Sequence, residues 1–255
     1  MAAVRRESHI AMKKKTIDKS TRARIVAEHF AELDQHLLPA SIAVLTRTNQ
    51  STPSESCFGG VFVGRKDTSW PRCRSRPMEG VLQIRIKDLP YCPSQLESVA
   101  LIQLFCVCEK AHEGLPVRPN FDEDGWIEVR TYESLRGLRP IDRPGPSQIK
   151  PCRIEWTKVS NEIPSYPDDI GLTDGDKKER FRELENWAKL ESECYSEHWQ
   201  TKVGGWPVSC QSGLNRKGYA IQIGSEKTAN FMWGDNGVAV LYFHRNKWSL
   251  EWDCY

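Results

Sequence analysis

The residues able to do chemistry in this chain are nine cysteines, six histidines and several runs of acids. Cys106 and Cys108 share one face of a predicted strand, and Glu109 and His112 follow in "CVCEKAHEG". Zinc needs about four ligands in tetrahedral order. No further ligand stands nearby, so buried core thiols are the favoured reading. The chain has no HExxH, no GxSxG, no GxGxxG and no GxxxxGK phosphate loop. With so many cysteines and histidines some pair could be close, which leaves a Cys–His hydrolase open, but no pair is singled out. Asp122, Glu123 and Asp124 in "FDEDG" lack the spaced ligand ladder of a calcium loop and read as turn acids. One constellation remains, near the end of the chain: Gln211, Gln222, Trp233, Asp235 and Trp252. Tryptophan with amides and a carboxylate makes a surface for a peptide or a sugar. The same residues serve structure equally well, since Trp fills core, Asp caps turns and Gln bonds backbone amides. If this surface is functional, it is expected to bind rather than catalyse. No catalytic, cofactor or metal residue is nominated.

These residues must be held by elements, and the elements are mostly strands. "DKSTRARIVAEHFAELDQHLL" places Ile25, Val26, Phe30, Leu33 and Leu37 at helical spacing and predicts a helix over 20–37, stopped by Pro39. A second helix is predicted over 176–196, with Phe181, Leu184, Trp187 and Ala188 as its buried stripe. Between and after them, "SIAVLTRT", "VLQIRIKDL", "LIQLFCVC", "GWIEVRTY", "CRIEWTKV" and "YAIQIGS" read as strands. "LIQLFCVC" is apolar on both faces, as a doubly covered strand should be. "ANFMW" and "VAVLYFH" flank "GDNG", and Asn236-Gly237 predicts a two-residue type I′ hairpin. "KWSLEWDCY" then closes a three-strand meander, its last strand pinned in the core by Trp248 and Trp252.

Charge and composition exclude several classes. Lys plus Arg is 36 and Asp plus Glu is 34, with no basic excess of the kind a nucleic-acid binder gathers into a patch. The basic cluster Arg5, Arg6, Lys13, Lys14 and Lys15 reads as a solvated tail over 1–19, and Met12 is an alternative start to Met1. No apolar run reaches the roughly 20 residues of a membrane span, and no apolar stretch follows the early basic residues as in a signal peptide. A cytoplasmic setting is expected, with the cysteines reduced.

Two stretches share an order of features. Gly59-Gly60 precedes Leu82-Gln83-Ile84 and then Asp124-Gly125; Gly204-Gly205 precedes Ile221-Gln222-Ile223 and then Asp235-Asn236-Gly237. The pattern is that of an internal duplication, with halves at 40–136 and 198–255 joined by the Pro-rich 137–197. Against it stands the fact that any strand-rich chain shows such turns. The run "VGGWPVSCQ…AIQIGSE…FMWGDNGVAVLYFHRNKWSLEWDCY" resembles the YwqG-like family. The matching positions are Gly204, Gly205, Pro207, Gln211, Gln222, Trp233, Gly234, Asp235, Gly237, Trp252, Asp253 and Cys254. The first half departs from the family's Gly-Gly-x-Pro-x-x-Pro, because "FGGVFVGRKDTSWPRC" lacks the first proline. That departure puts a first-half site in doubt more than the fold.

The resemblance covers residues 20–255 and implies an α+β, predominantly antiparallel β protein, open to an internal duplication and with no established activity, and the pattern adds an N-terminal and a central helix. It also implies, as an expectation, a place in bacterial toxin–immunity neighbourhoods. Two readings follow. The favoured one is a non-enzymatic protein-interaction module with an unidentified protein partner, of which immunity to a toxin is one form. The alternative is a small polar ligand, bound or transformed in a cleft between the halves. Neither reading includes a cofactor, a nucleic acid or a membrane.

Overall fold

The computed structural model describes residues 35–49, 52–109, 115–122, 124–164, 199–211, 217–245 and 247–255. The chain divides into two compact units, Met1–Gln35 and His36–Tyr255, and every described strand belongs to the second. Alternating β-branched and apolar residues make β1 (Leu38–Arg47). Then come β2 (Cys57–Phe58), β3 (Val63–Gly64), β4 (Arg72–Cys73), β5 (Arg76–Pro77), β6 (Glu79–Arg85), β7 (Leu101–Cys106), β8 (Ile127–Tyr132) and β9 (Arg139–Pro140). They are followed by β10 (Cys152–Glu162), β11 (Lys202–Gly204), β12 (Tyr219–Gly224), β13 (Val238–His244) and β14 (Lys247–Asp253).

Ten of these strands form one antiparallel sheet in the order β14-β13-β12-β11-β1-β10-β2-β6-β7-β8. The sheet curls into a nearly closed barrel. Its inner face carries Phe58, Leu82, Ile84, Ile102, Leu104, Ile154, Val203, Ile221, Ile223 and Leu241 in one core. Burying each such side chain contributes about 1.5–3 kcal/mol. The outer face of β6 and β7 is covered again by Phe62, Trp70 and Met78 against Phe105. That second layer is why β7 is buried at every position, as its apolar run requires. The two ends of the sheet meet where Trp252 of β14 stacks face to face on Phe121, which lies between β7 and β8 (3.8 Å between centroids, 7° between planes).

At the middle of the sheet β1 and β10 pair with Ile42 opposite Thr157, Val44 opposite Glu155 and Thr46 opposite Arg153. Exchanging the two strands about the Val44–Glu155 pair returns the same register. β2, which follows β1 in sequence, pairs with β10. β11, which follows β10, pairs with β1. β1 and β10 therefore each pair with the strand that follows the other in sequence.

Several expectations are corrected. Of the predicted helices over 20–37 and 176–196, all but residues 35–37 lie outside the described residues. Among the described residues helical geometry is confined to the 3-10 turns Ile86–Asp88, Ser94–Leu96 and Lys227–Ala229, so the α part of the α+β expectation finds no support there. Residues 35–37 are not helical, and Pro39 lies inside β1 rather than ending a helix. A bulge between Leu38 and Ala40 removes the need for a proline N–H. The strand expected at "CRIEWTKV" within the connection is β10, the longest described strand, and it lies at the sheet's centre rather than between halves. "ANFMW" is not a strand; the meander is β12-β13-β14. Asn236-Gly237 is not a two-residue turn. Gly237 N–H donates to Trp233 O at 2.8 Å across three residues, of which Gly234 (φ 48°) and Asn236 (φ 59°) are left-handed. Gly237 is glycine for another reason: a Cβ there would collide with the Asp253 carbonyl.

Candidate functional site

The five nominated residues do not converge on one surface. Gln222 is fully buried on β12, opposite Lys202 of β11. Its Oε1 accepts from Val208 N–H (2.8 Å) and its Nε2 donates to Gln200 O (3.0 Å). Gln83 on β6, opposite Cys57, does the same job: it accepts from Val63 N–H (3.3 Å) and donates to Glu55 O (2.9 Å). In each half the clamped N–H lies six residues past the strand partner (57 to 63, 202 to 208) and the clamped carbonyl two before it (57 to 55, 202 to 200). Between them sit Gly59-Gly60 and Gly204-Gly205, all four left-handed. Each glutamine thus satisfies two backbone groups that a sharp left-handed turn removes from the ladder. Both are structural.

Trp233 is fully buried, packed edge-on against Phe231 and Trp126. Asp235 is exposed at the hairpin tip, away from Gln222. Trp252 is not core: it is 37% exposed, with Phe121 covering one face. β14 is an edge strand with no buried residue. Gln211 is exposed and belongs to a knot with the chain's last residues. The Asp253 carboxylate accepts from Ser209 Oγ and from the N–H groups of Cys210 (2.7 Å) and Gln211 (2.9 Å). Gln211 Nε2 donates to Cys254 O at 2.6 Å. The "SCQ" and "WDC" motifs are two sides of this one tie.

Sequence reasoning missed the residues that give the second half its polarity. Lys202 Nζ lies 2.6 Å from Glu162 Oε1, with both side chains about 1% exposed. Glu162 Oε2 accepts Trp206 N–H at 3.0 Å. The carboxylate lies directly under Gly205, where a Cβ would collide with it. Glu162 ends β10 in a Pro-rich stretch, and nothing local marks it as the partner of a residue 40 positions away.

Beside this pair is a cleft of about 460 Å³, lined by Tyr91, Ser94 and Gln95 from the β6–β7 connection and by Gly204, Lys217 and Tyr219 from the second half. Tyr219 O–H donates to Gly204 O (2.9 Å) and Gln95 Nε2 to Tyr219 O (2.8 Å), which fixes two of its walls. The Tyr91 and Ser94 side-chain hydroxyls make no hydrogen bond among the described residues. Hydroxyl, amide and ammonium groups can hold a small polar molecule. Neither of those two hydroxyls has the hydrogen-bonded base among the described residues that would make it a nucleophile.

Four described thiols are held in the protonated form. Burial pushes Cys57 up to about 12, with Glu55 and Cys152 adding to it. Burial also pushes Cys210 up to about 11, with Asp253 and Cys254 contributing, and it raises Cys106 and Cys108 as well. Among the described residues no three His, Cys, Asp or Glu side chains are placed to hold a metal ion; His112 lies outside them. No helix among the described residues is long and apolar enough to cross a membrane.

With both clamping glutamines inside the matched region, the chain belongs to the family described as "Domain of unknown function (DUF1963)", whose profile matches residues 56–250. No curated protein matches the chain.

Proposed function

We propose that the protein binds a small polar ligand in the cleft at Tyr91, Ser94, Gln95, Gly204 and Lys217, on a scaffold made by internal duplication of the YwqG-like kind. The observation that carries this is the cleft itself: a polar hollow of about 460 Å³ at the seam between the halves, where ligand sites commonly lie. The duplication rests on the two equivalent glutamine clamps and the exchanged central strands. Binding without catalysis fits a lining whose open hydroxyls have no hydrogen-bonded base among the described residues. The cytoplasmic setting and bacterial origin belong to the same proposal and rest on cysteine usage and on the resemblance.

The test is a thermal-shift screen of the full chain against amino acids, sugars and small acids. A ligand at 100 times its Kd adds about 2.7 kcal/mol, which reads as a shift well above about 1 °C. Ser94→Trp, at an exposed position of the rim, should fill the cleft and abolish the shift while leaving the unliganded melting point unchanged. No hit, or hits that survive Ser94→Trp undiminished, overturns the reading.

A second reading, a protein-interaction surface of which toxin immunity is one form, is favoured by one observation. Trp252 (37%), Leu115 (50%) and Tyr255 (68%) are exposed, and aromatic residues are enriched at interfaces. Co-expression with a toxin encoded nearby should then rescue growth, and Trp252→Ala should lose the rescue. Growth arrest with every such toxin sinks it.

A further inference from the structure

We infer that a second site, between Trp199 and Tyr255, takes a neutral purine ring. The two aromatic rings lie 6.2 Å apart and within 22° of parallel. They wall a hollow of about 310 Å³ beside the Asn236-Gly237 hairpin, at the lower end of the range for ligand pockets, which suits a single base or nucleoside. Tyr255 is largely exposed and Trp199 half-buried, so the outer ring can swing to admit a flat ring onto the inner one. Stacking of this kind contributes strongly with any base, because every base offers a π face.

The lining gives the class of ring. Trp199, Gln200, Ser225, Asn236, Val238 and Tyr255 include no charged side chain, so a phosphate or carboxylate would find no counter-ion among the described residues of the lining. Ser225 is already committed: its hydroxyl donates to Gly237 O (2.7 Å) and accepts Trp233 N–H (3.0 Å). It fixes the wall and does not serve a ligand. Asn236 is exposed, and its carboxamide makes no hydrogen bond among the described residues. A carboxamide presents one donor and one acceptor side by side, the complement of the N6 and N7 edge of adenine. This site does not depend on the cleft at Tyr91.

Isothermal titration calorimetry of the full chain with adenosine tests it, with glucose as the comparison. Saturable binding of adenosine is expected, weakened tenfold or more in Tyr255→Ala. Trp199→Phe keeps a ring in place and should retain affinity within about threefold, while Ser94→Trp should leave it unchanged. Tyr255 is at the surface, so its replacement does not threaten folding. Absence of heat up to about 10 mM adenosine, equal affinity in Tyr255→Ala, or binding of glucose in place of adenosine overturns the proposal.

Discussion

At Gly59 an added methyl would meet Ile149 Cγ2 at 3.0 Å. At the equivalent Gly204 it would run into the ring of Tyr91, and at Gly205 into the buried Glu162 carboxylate. Cys57 stands in the first half where Lys202 stands in the second, each opposite a clamping glutamine. The turn thus has an uncharged version at Cys57 and a charged version at Lys202. The uncharged version shows that this position needs no buried ion pair, although Glu79 of the first half is buried against Arg143 elsewhere. Burying two charges costs several kcal/mol that only good geometry offsets. The pair is therefore a particular feature of the second half, beside the cleft. Function in this fold should be sought where the two turns differ.

The largest effect should come from breaking that difference. Lys202→Met leaves Glu162 charged, buried and short of its partner, and should cost about 3–5 kcal/mol in urea unfolding. Cys57→Ala at the equivalent position should cost about 1 kcal/mol. Equal losses would mean that the ion pair is not what distinguishes the halves. The shared clamp comes next. Gln83→Leu and Gln222→Leu each strand a buried N–H and a buried carbonyl, for about 2–4 kcal/mol. Their losses should agree within about 1 kcal/mol, and a wide gap would break the equivalence of the turns. Smaller again, Trp252→Ala should cost about 1–2 kcal/mol, the loss of one aromatic stack and partial burial. A loss near the about 3–5 kcal/mol of a core Trp would place it inside after all.

The smallest effect is a pH dependence confined to the second half. Burial raises the Glu226 carboxyl above its ordinary value of 4.5, with hydrogen bonds from Thr201 opposing. A carboxyl raised in the folded state contributes fully below its unfolded pKa and loses that contribution as pH rises through the folded value. Stability should therefore fall as pH climbs from 4.5, and Glu226→Gln should flatten that part of the profile. An unchanged profile would show that Glu226 titrates normally.

Trp252 shows where reading the chain failed. Its place in an alternating apolar row predicts burial, but alternation reports only which side a residue faces. It does not report whether the strand is an edge. Asn236-Gly237 failed likewise: the dipeptide favours a tight turn, but here Gly237 is glycine because the closing strand passes over it. The cleft was legible only as a seam between halves. Tyr91, Ser94 and Lys217 carry no local mark, because their neighbourhood is made by a strand exchange that no short window contains.

The sequence alone determined most strand positions, the left-handed Gly-Gly turns and the matching glutamines. Each of these follows from backbone sterics and from period-two burial, which act over a few residues. The tertiary structure alone decided that β1 and β10 change places, that Glu162 meets Lys202, and that Asp253 ties the end of the chain to Ser209. Those are pairings between residues tens of positions apart, fixed by how ten strands close on one core.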